Sequence, residues 1–219
     1  QFIAPFKAIE KYEYAIPHLS SAGPQDEFKL SNKFTKKAAL IWIAGVYNSQ
    51  KMHHHALLKI RQANNDPSLE WHGVMNYNNE IAALARLGRF EEALEKTNML
   101  IKIAETKEFA DSKDKVNENF FARLLKLSVY TNRMAPGDKE QMRVLLSQLS
   151  ELLPKIDLYN NDILIETVNL FSVAVNGTGD ELKDAEKQFV PLNWDQTHTL
   201  NFRATLGGQD WVISAISKL

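Results

Sequence analysis

Apolar positions recur with helical spacing from one end of this chain to the other. In residues 2–16 Ala8, Tyr12 and Ala15 fall at i, i+4 and i+7, and Pro17 stops the stripe. Residues 18–31 are rich in Ser, Gly, Pro and Asp and read as a loop. Ser31 or Asn32 can cap a helix over about 33–49, and its partner over about 52–64 ends at Asn64-Asn65-Asp66-Pro67-Ser68. A second pair is predicted over about 69–87 and 90–107, followed by a charged, small-residue connector at 109–115 that is the best boundary in the chain. Beyond it, Phe120, Phe121, Leu124, Leu125, Leu127 and Val129 mark a helix over 117–133. Asp138 stands as the cap of the next, whose Met142, Leu145, Leu146 and Leu149 share one face up to Pro154. Helices over 161–175 and 180–190 follow, the last stopped by Pro191.

The final segment reads two ways. Leu200, Phe202, Ala204 and Leu206 alternate with polar residues before Gly207-Gly208, which is a hairpin pattern. The same residues read as two helices capped by Asp195 and Asp210, with Trp211, Ala215 and Leu219 on one face. Helices are the preferred reading, because a lone hairpin in a helical array exposes both edges.

Two parts of the chain match each other. Ile43-Ala44-Gly45-Val46-Tyr47 leads to Ala56-Leu57, and Ile81-Ala82-Ala83-Leu84 leads to Ala93-Leu94, the two alanines standing 37 residues apart. The second corner, Leu87-Gly88-Arg89-Phe90-Glu91-Glu92-Ala93-Leu94, resembles that of a tetratricopeptide repeat, whose period is roughly 34 residues. The resemblance covers about 33–107, with a partial flank at 2–17 that looks like the second helix of a repeat lacking its first. That flank implies either a parent chain extending upstream or a capping helix. Leu40, Ile43, Ala44, Tyr47, Ala56, Ile60 and Ala63 match the family's packing positions in the first copy, and Tyr77, Ile81, Leu84, Ala93 and Leu100 in the second. Glu80 and Thr97 depart from it, standing where the family has apolar residues. The register makes Gly88 the residue that sets the second corner, puts Ala56 and Ala93 where helices come closest, and leaves Ala39 off the packing set. Residues 120–219, with Asn193-Trp194-Asp195-Gln196 and Asp210-Trp211-Val212-Ile213, also resemble the five-helix domain that closes the outer-coat scaffold subunit of COPII vesicles and recurs in the steroid receptor RNA activator protein. The expected fold is therefore all-α: antiparallel helical hairpins stacked as a short α-solenoid over residues 1–110, continued by further hairpins or a small bundle over 111–219.

Composition narrows the chemistry. Of 219 residues 44% are hydrophobic, and Lys and Arg number 26 against 27 Asp and Glu, so no global charge draws the chain to nucleic acid or acidic lipid. Lys33, Lys36 and Lys37 form the nearest thing to a basic patch and read as a solvated helix start. The absence of cysteine removes disulfides and thiol chemistry but does not settle the compartment. A cytoplasmic setting is the expectation, with secretion or the periplasm as alternatives; the sequon Asn176-Gly177-Thr178 matters only after secretion. No apolar run reaches the ~20 residues of a membrane span. The chain opens at Gln1 with no Met and no leader pattern, as a mature form or a fragment does.

Catalytic and metal-ligating residues are sparse, so no catalytic residue, metal or cofactor is expected. His53, His54 and His55 are consecutive and point about 100° apart on a helix, which prevents convergence on one ion, and a solvated turn is the reading. Asp162 and Glu166 are helical i, i+4 carboxylates with no nucleophile beside them. Trp42, Trp71, Trp194 and Trp211 read as core or inter-repeat contacts.

The tetratricopeptide resemblance implies that the first helix of each pair lines a concave groove. Ile41, Gly45, Asn48 and Ser49 face it from the first copy, and Met75, Asn78, Ala82 and Arg86 from the second. In that groove Asn side chains bind a peptide backbone and Arg86 pairs a carboxylate. The family's chaperone-tail binders carry Lys and Asn where this chain has Ile41 and Gly45, which speaks against that ligand. The expected role is a non-enzymatic protein–protein interaction module taking a peptide or partner helix. The alternatives are a scaffold or coat segment of a larger assembly, and a helical hydrolase or regulator using His53–His55 or the carboxylate pair.

Overall fold

A computed structural model describes residues 5–18, 36–65, 75–106, 112–156, 161–177 and 179–189, with 216, 217 and 219. Among these the fold is all-α, with no strand. The helices are α1 (Pro5–Ala15), α2 (Lys36–Ser49), α3 (His53–Asn64), α4 (Met75–Arg86), α5 (Phe90–Thr106), α6 (Ser112–Arg133), α7 (Asp138–Leu152), α8 (Asn161–Asn176) and α9 (Gly179–Phe189). A 3₁₀ turn at Ile16–His18 follows α1, and another at Leu153–Lys155 follows α7.

From α3 onward each helix packs on the one before it in the chain, and α2 packs on α1. In addition α4 touches α2 and α6, so α2, α4 and α6 lie side by side in one layer. This explains the composition of α4: its run Ile81-Ala82-Ala83-Leu84-Ala85 is buried on every face, as a helix enclosed by four others requires. One core cluster runs from Ala44 through Leu100 and Phe120 to Ile216, passing across the connector near residue 110 without a break. The ambiguous segment 197–215 and the two Trp-containing motifs of the C-terminal resemblance lie outside the described residues.

The corner between α2 and α3 is built like the corner between α4 and α5. After α2, Lys51 donates its N–H to Asn48 O (3.0 Å) and Met52 to Tyr47 O (2.9 Å). After α4, Gly88 donates to Ala85 O (3.2 Å) and Arg89 to Leu84 O (2.9 Å). Both are Schellman closures, with Lys51 (φ 60°) and Gly88 (φ 74°) in the left-handed region, again 37 positions apart. Gly88 holds this conformation freely. Lys51 does so against its Cβ, a strain of roughly 1–2 kcal/mol, and no glycine betrays the corner in the sequence.

Several positions differ from expectation. Ala39 is 0% exposed, because α2 has α1, α3 and α4 around it and few free faces. Lys37 is buried too, and burial lowers its pKa. Trp42, by contrast, is 46% exposed. Thr97 is fully buried and turns its hydroxyl back to Leu94 O (2.8 Å), while Glu80 leans one oxygen to Lys96 (3.4 Å) and keeps the other buried with no hydrogen-bond partner among the described residues. Asp138 is the first residue of α7 rather than its cap, which is Gly137. Its buried carboxylate instead accepts two bonds from Arg133 (2.6 and 3.0 Å) and the Ala135 N–H (2.8 Å), closing the α6–α7 corner.

Candidate functional site

The layer formed by α2 and α4 brings together part of the expected groove and ties up the rest. Asn48 is 1% exposed. It donates Nδ2–H to the carbonyl of Asn79 on α4 (2.9 Å), while Asn79 donates Nδ2–H to the carbonyl of Ile41 on α2 (3.3 Å). Gly45 of α2 lies against the Asn79 amide, where a Cβ would make ordinary van der Waals contact at 3.5 Å. Each helix thus grips the backbone of the other through an amide side chain.

Asn48 also reaches the start of α3, where its Oδ1 lies 3.1 Å from Nδ1 of His53. The Asn79 carbonyl can only accept, so it fixes Nδ2 of Asn48 as the donor and leaves Oδ1 facing the imidazole. Nδ1 of His53 therefore carries a hydrogen, and Nε2 is the nitrogen that gains or loses a proton. Burial lowers the His53 pKa, and the charges of Arg86, His54 and Lys51 lower it further.

Arg86, in the last turn of α4, is half-buried, and burial lowers its pKa. Among the described residues it has neither a hydrogen bond nor an ion pair. On α4 and α5, Glu80 pairs with Lys96 and Glu92 with Arg89. On the same helix, Asn78 and Asn79 each have a buried Oδ1 with no hydrogen-bond donor among the described residues. Position 86 follows 78 and 79 by about two turns, so the three share one side of α4.

The remaining groove positions fall as follows. Ile41 is 6% exposed, in a small cluster with Leu40 and Ala63 against which Ile16 packs, so it does not line an open groove. Ala82 is buried as well. Ser49 is exposed and donates to Val46 O (2.7 Å). Met75 opens α4, but its side chain lies outside the described residues. The expected row of binding side chains is thus reduced to Ser49, Asn78 and Arg86, with Asn48 serving as an internal tie. Asn79 and His53 were not among the expected groove residues. Nothing in their local pattern singles them out, since Asn79 meets Asn48 across 31 residues and His53 meets it across a corner.

The three histidines do not behave alike. His53 is half-buried, whereas His54 and His55 are exposed, with the His55 ring 5.4 Å from that of Tyr47. Among the described residues no group of three or more His, Asp or Glu is placed to hold a metal ion. Glu166 is half-buried, and the side chain of its partner Asp162 lies outside the described residues. A shallow cleft of about 480 Å³ opens between α7 and α8, lined by Arg143, Ser147, Ser150, Glu151, Ser172 and Asn176. Its cation is already held, since Arg143 donates to Glu140 (2.8 Å) and to Asn176 Oδ1 (3.0 Å). No described helix is long and apolar enough to cross a membrane.

Comparisons with protein-family models, with curated proteins and with solved structures find no match for this chain.

Proposed function

We propose that this chain is a non-enzymatic protein–protein interaction module that receives a carboxylate-bearing, extended segment of a partner protein at Arg86. The observation that carries this reading is the half-buried guanidinium without an anionic partner among the described residues. A cation withdrawn from water is unfavourable until an anion meets it, and Arg offers a planar fork of donors that fits a carboxylate. About two turns before Arg86 on α4, the half-buried amide of Asn78 offers a further polar group to a peptide backbone. The layered helices supply a rigid platform and need no chemistry of their own.

The test is calorimetry with an acetylated, amidated hexa-aspartate peptide and its hexa-asparagine counterpart. The acidic peptide should bind and the neutral one should not. Arg86→Ala should remove a charge-assisted bond worth about 1.5–3 kcal/mol, and Arg86→Lys should restore only part of it. Equal binding by wild type and Arg86→Ala would refute the assignment.

A further inference from the structure

The cleft between α7 and α8 holds polar groups that the fold does not use. Arg143, Leu146, Ser147, Ser150 and Glu151 recur at i, i+3, i+4, i+7 and i+8, so they share one face of α7. Ser172 and Asn176, one turn apart on α8, line the other wall. Arg143, near the start of α7, donates Nε–H to Oδ1 of Asn176 at the end of α8 (3.0 Å), so the helices run antiparallel and this bond marks one end of the cleft. Glu151 stands at the other end, about 12 Å farther along α7. Leu146 is buried and supplies an apolar floor, and the short serine side chains leave the space of about 480 Å³ open.

Both ends carry groups still able to bind. Arg143 commits Nε to Asn176 and Nη1 to Glu140 (2.8 Å), which orients the guanidinium and leaves Nη2 without an acceptor among the described residues. Because Asn176 bonds through Oδ1, its Nδ2–H groups remain donors beside that guanidinium. Glu151 has no ion pair among the described residues, and the hydroxyls of Ser147 and Ser172 have no hydrogen bond there. Ser150 donates to Leu146 O (2.9 Å) and keeps its lone pairs. With Glu140 offsetting Arg143 and Glu151 unpaired, the cleft is net anionic, so a bare anion gains little and a ligand bringing its own cation is favoured.

We propose that this cleft binds short peptides with both ends free, a di- or tripeptide lying along α7 with its carboxylate at Arg143 and Asn176 and its ammonium at Glu151. Length selects the class. The two charged side chains are rooted about 12 Å apart and each contact takes up about 3 Å, leaving roughly 6–9 Å for the ligand's own charge separation. An extended chain covers about 3.3–3.6 Å per residue, so two or three residues fit, whereas a single amino acid is too short and a longer peptide overruns an end. The serine hydroxyls between the ends donate and accept, as peptide C=O and N–H groups require. The floor at Leu146 suits small apolar side chains such as Ala. A capped acidic peptide has no ammonium for Glu151 and is repelled by it, so this cleft and Arg86 select different ligands and are tested separately.

The experiment is a nitrogen–proton correlation titration of the whole chain with tri-alanine, its N-acetylated form, its C-terminal amide and the doubly capped form. Ligands of this size bind at roughly 0.1–10 mM, which sets the concentrations needed. Free tri-alanine should shift the backbone resonances of Ser147, Ser150 and Ser172 saturably. Capping either end should weaken binding about tenfold or more, the loss of one charge-assisted bond. Glu151→Gln should erase the difference between free and N-acetylated peptide, and Arg143→Gln the difference between free and amidated peptide. Both side chains are exposed, so the spectrum away from the cleft should stay as in wild type. Doubly capped tri-alanine binding as tightly as the free peptide would overturn the proposal with no substitution needed. So would the absence of any saturable shift, shifts centred on α4 in place of the cleft, or end discrimination that survives both substitutions. Each of those results leaves the reading of Arg86 to its own test with the acidic peptide.

Discussion

Asn48 and Asn79 grip each other's helices in reciprocal fashion, the side chain of the first on the backbone carbonyl of the second at 2.9 Å, and the side chain of the second on the carbonyl of Ile41, one helix turn pair back from the first, at 3.3 Å. Because Asn48 is buried, this tie is shielded from water, and losing it strands a carbonyl and an imidazole N–H together. Asn48→Ala should therefore destabilise the fold by about 1–3 kcal/mol in chemical denaturation. In a double-mutant cycle with Asn79→Ala the two losses should fall short of additive, as coupled neighbours do. Fully additive losses would show that the clasp does not act as a unit.

The two equivalent corners predict opposite responses to glycine chemistry. Lys51→Gly relieves a left-handed residue of its Cβ and should raise stability by about 1 kcal/mol. Gly88→Ala introduces the same strain and should lower stability by about 1 kcal/mol. Nothing stands within 4 Å of a Cβ at Gly88, so its loss is one of backbone alone. Thermal melts of both variants decide this, and a destabilised Lys51→Gly would contradict the shared geometry.

Overpacking tests the alanines. Ala39, Ala56 and Ala93 are all fully buried, so each change to Leu should destabilise by about 1–3 kcal/mol. The repeat register alone makes Ala39 the mild case. The enclosing helices around α2 remove that distinction.

Asp138 anchors the α6–α7 corner through Arg133 and the Ala135 N–H. Arg133 keeps Glu91 as a second partner at 2.6 Å, which softens the effect of losing the first. Asp138→Ala should still lower stability by about 1.5–3 kcal/mol, whereas Glu91→Ala, on the exposed side, should lower it by less than about 1 kcal/mol. Equal effects would place the anchor wrongly.

His53 also makes a prediction for folding. Its pKa in the folded chain lies below the ordinary 6.5, so the unfolded chain binds the proton more readily. The contribution of neutral His53 is fully present above about pH 6.5 and is lost as the pH falls toward the folded value. Stability should decline over that window in wild type and decline less in His53→Gln, as read from denaturation midpoints at pH 7.5 and 5.5.

Helix positions were legible because Pro17, Pro154 and the Asn, Asp and Gly clusters punctuate an otherwise continuous 3.6-residue rhythm. Helices α1, α3, α7 and α8 each end within two residues of the punctuation. The identity of each helix face was less legible. The resemblance puts Ile41 in an open groove, yet it is buried in a cluster with Leu40 and Ala63, a burial set by how the helices around α2 pack. Asn48 was expected to bind a ligand and instead binds the neighbouring backbone, since an amide serves either purpose and only the packing of α4 decides. Lys51 gave no sign of its left-handed conformation, because the bonds to Asn48 and Tyr47 impose it. Arg86 was the site residue most readable from sequence, and the structure adds what sequence lacks: burial without a counter-ion among the described residues.

The most direct measurement is a nitrogen–proton correlation spectrum followed through a titration with the hexa-aspartate peptide, including the side-chain resonances of Arg and His. Binding at the proposed site predicts that the largest changes fall on the guanidinium of Arg86 and the residues around Asn78, with the α7–α8 cleft unmoved. Changes confined to Arg143, Ser147, Ser150 and Ser172, or no saturable change anywhere, would contradict it.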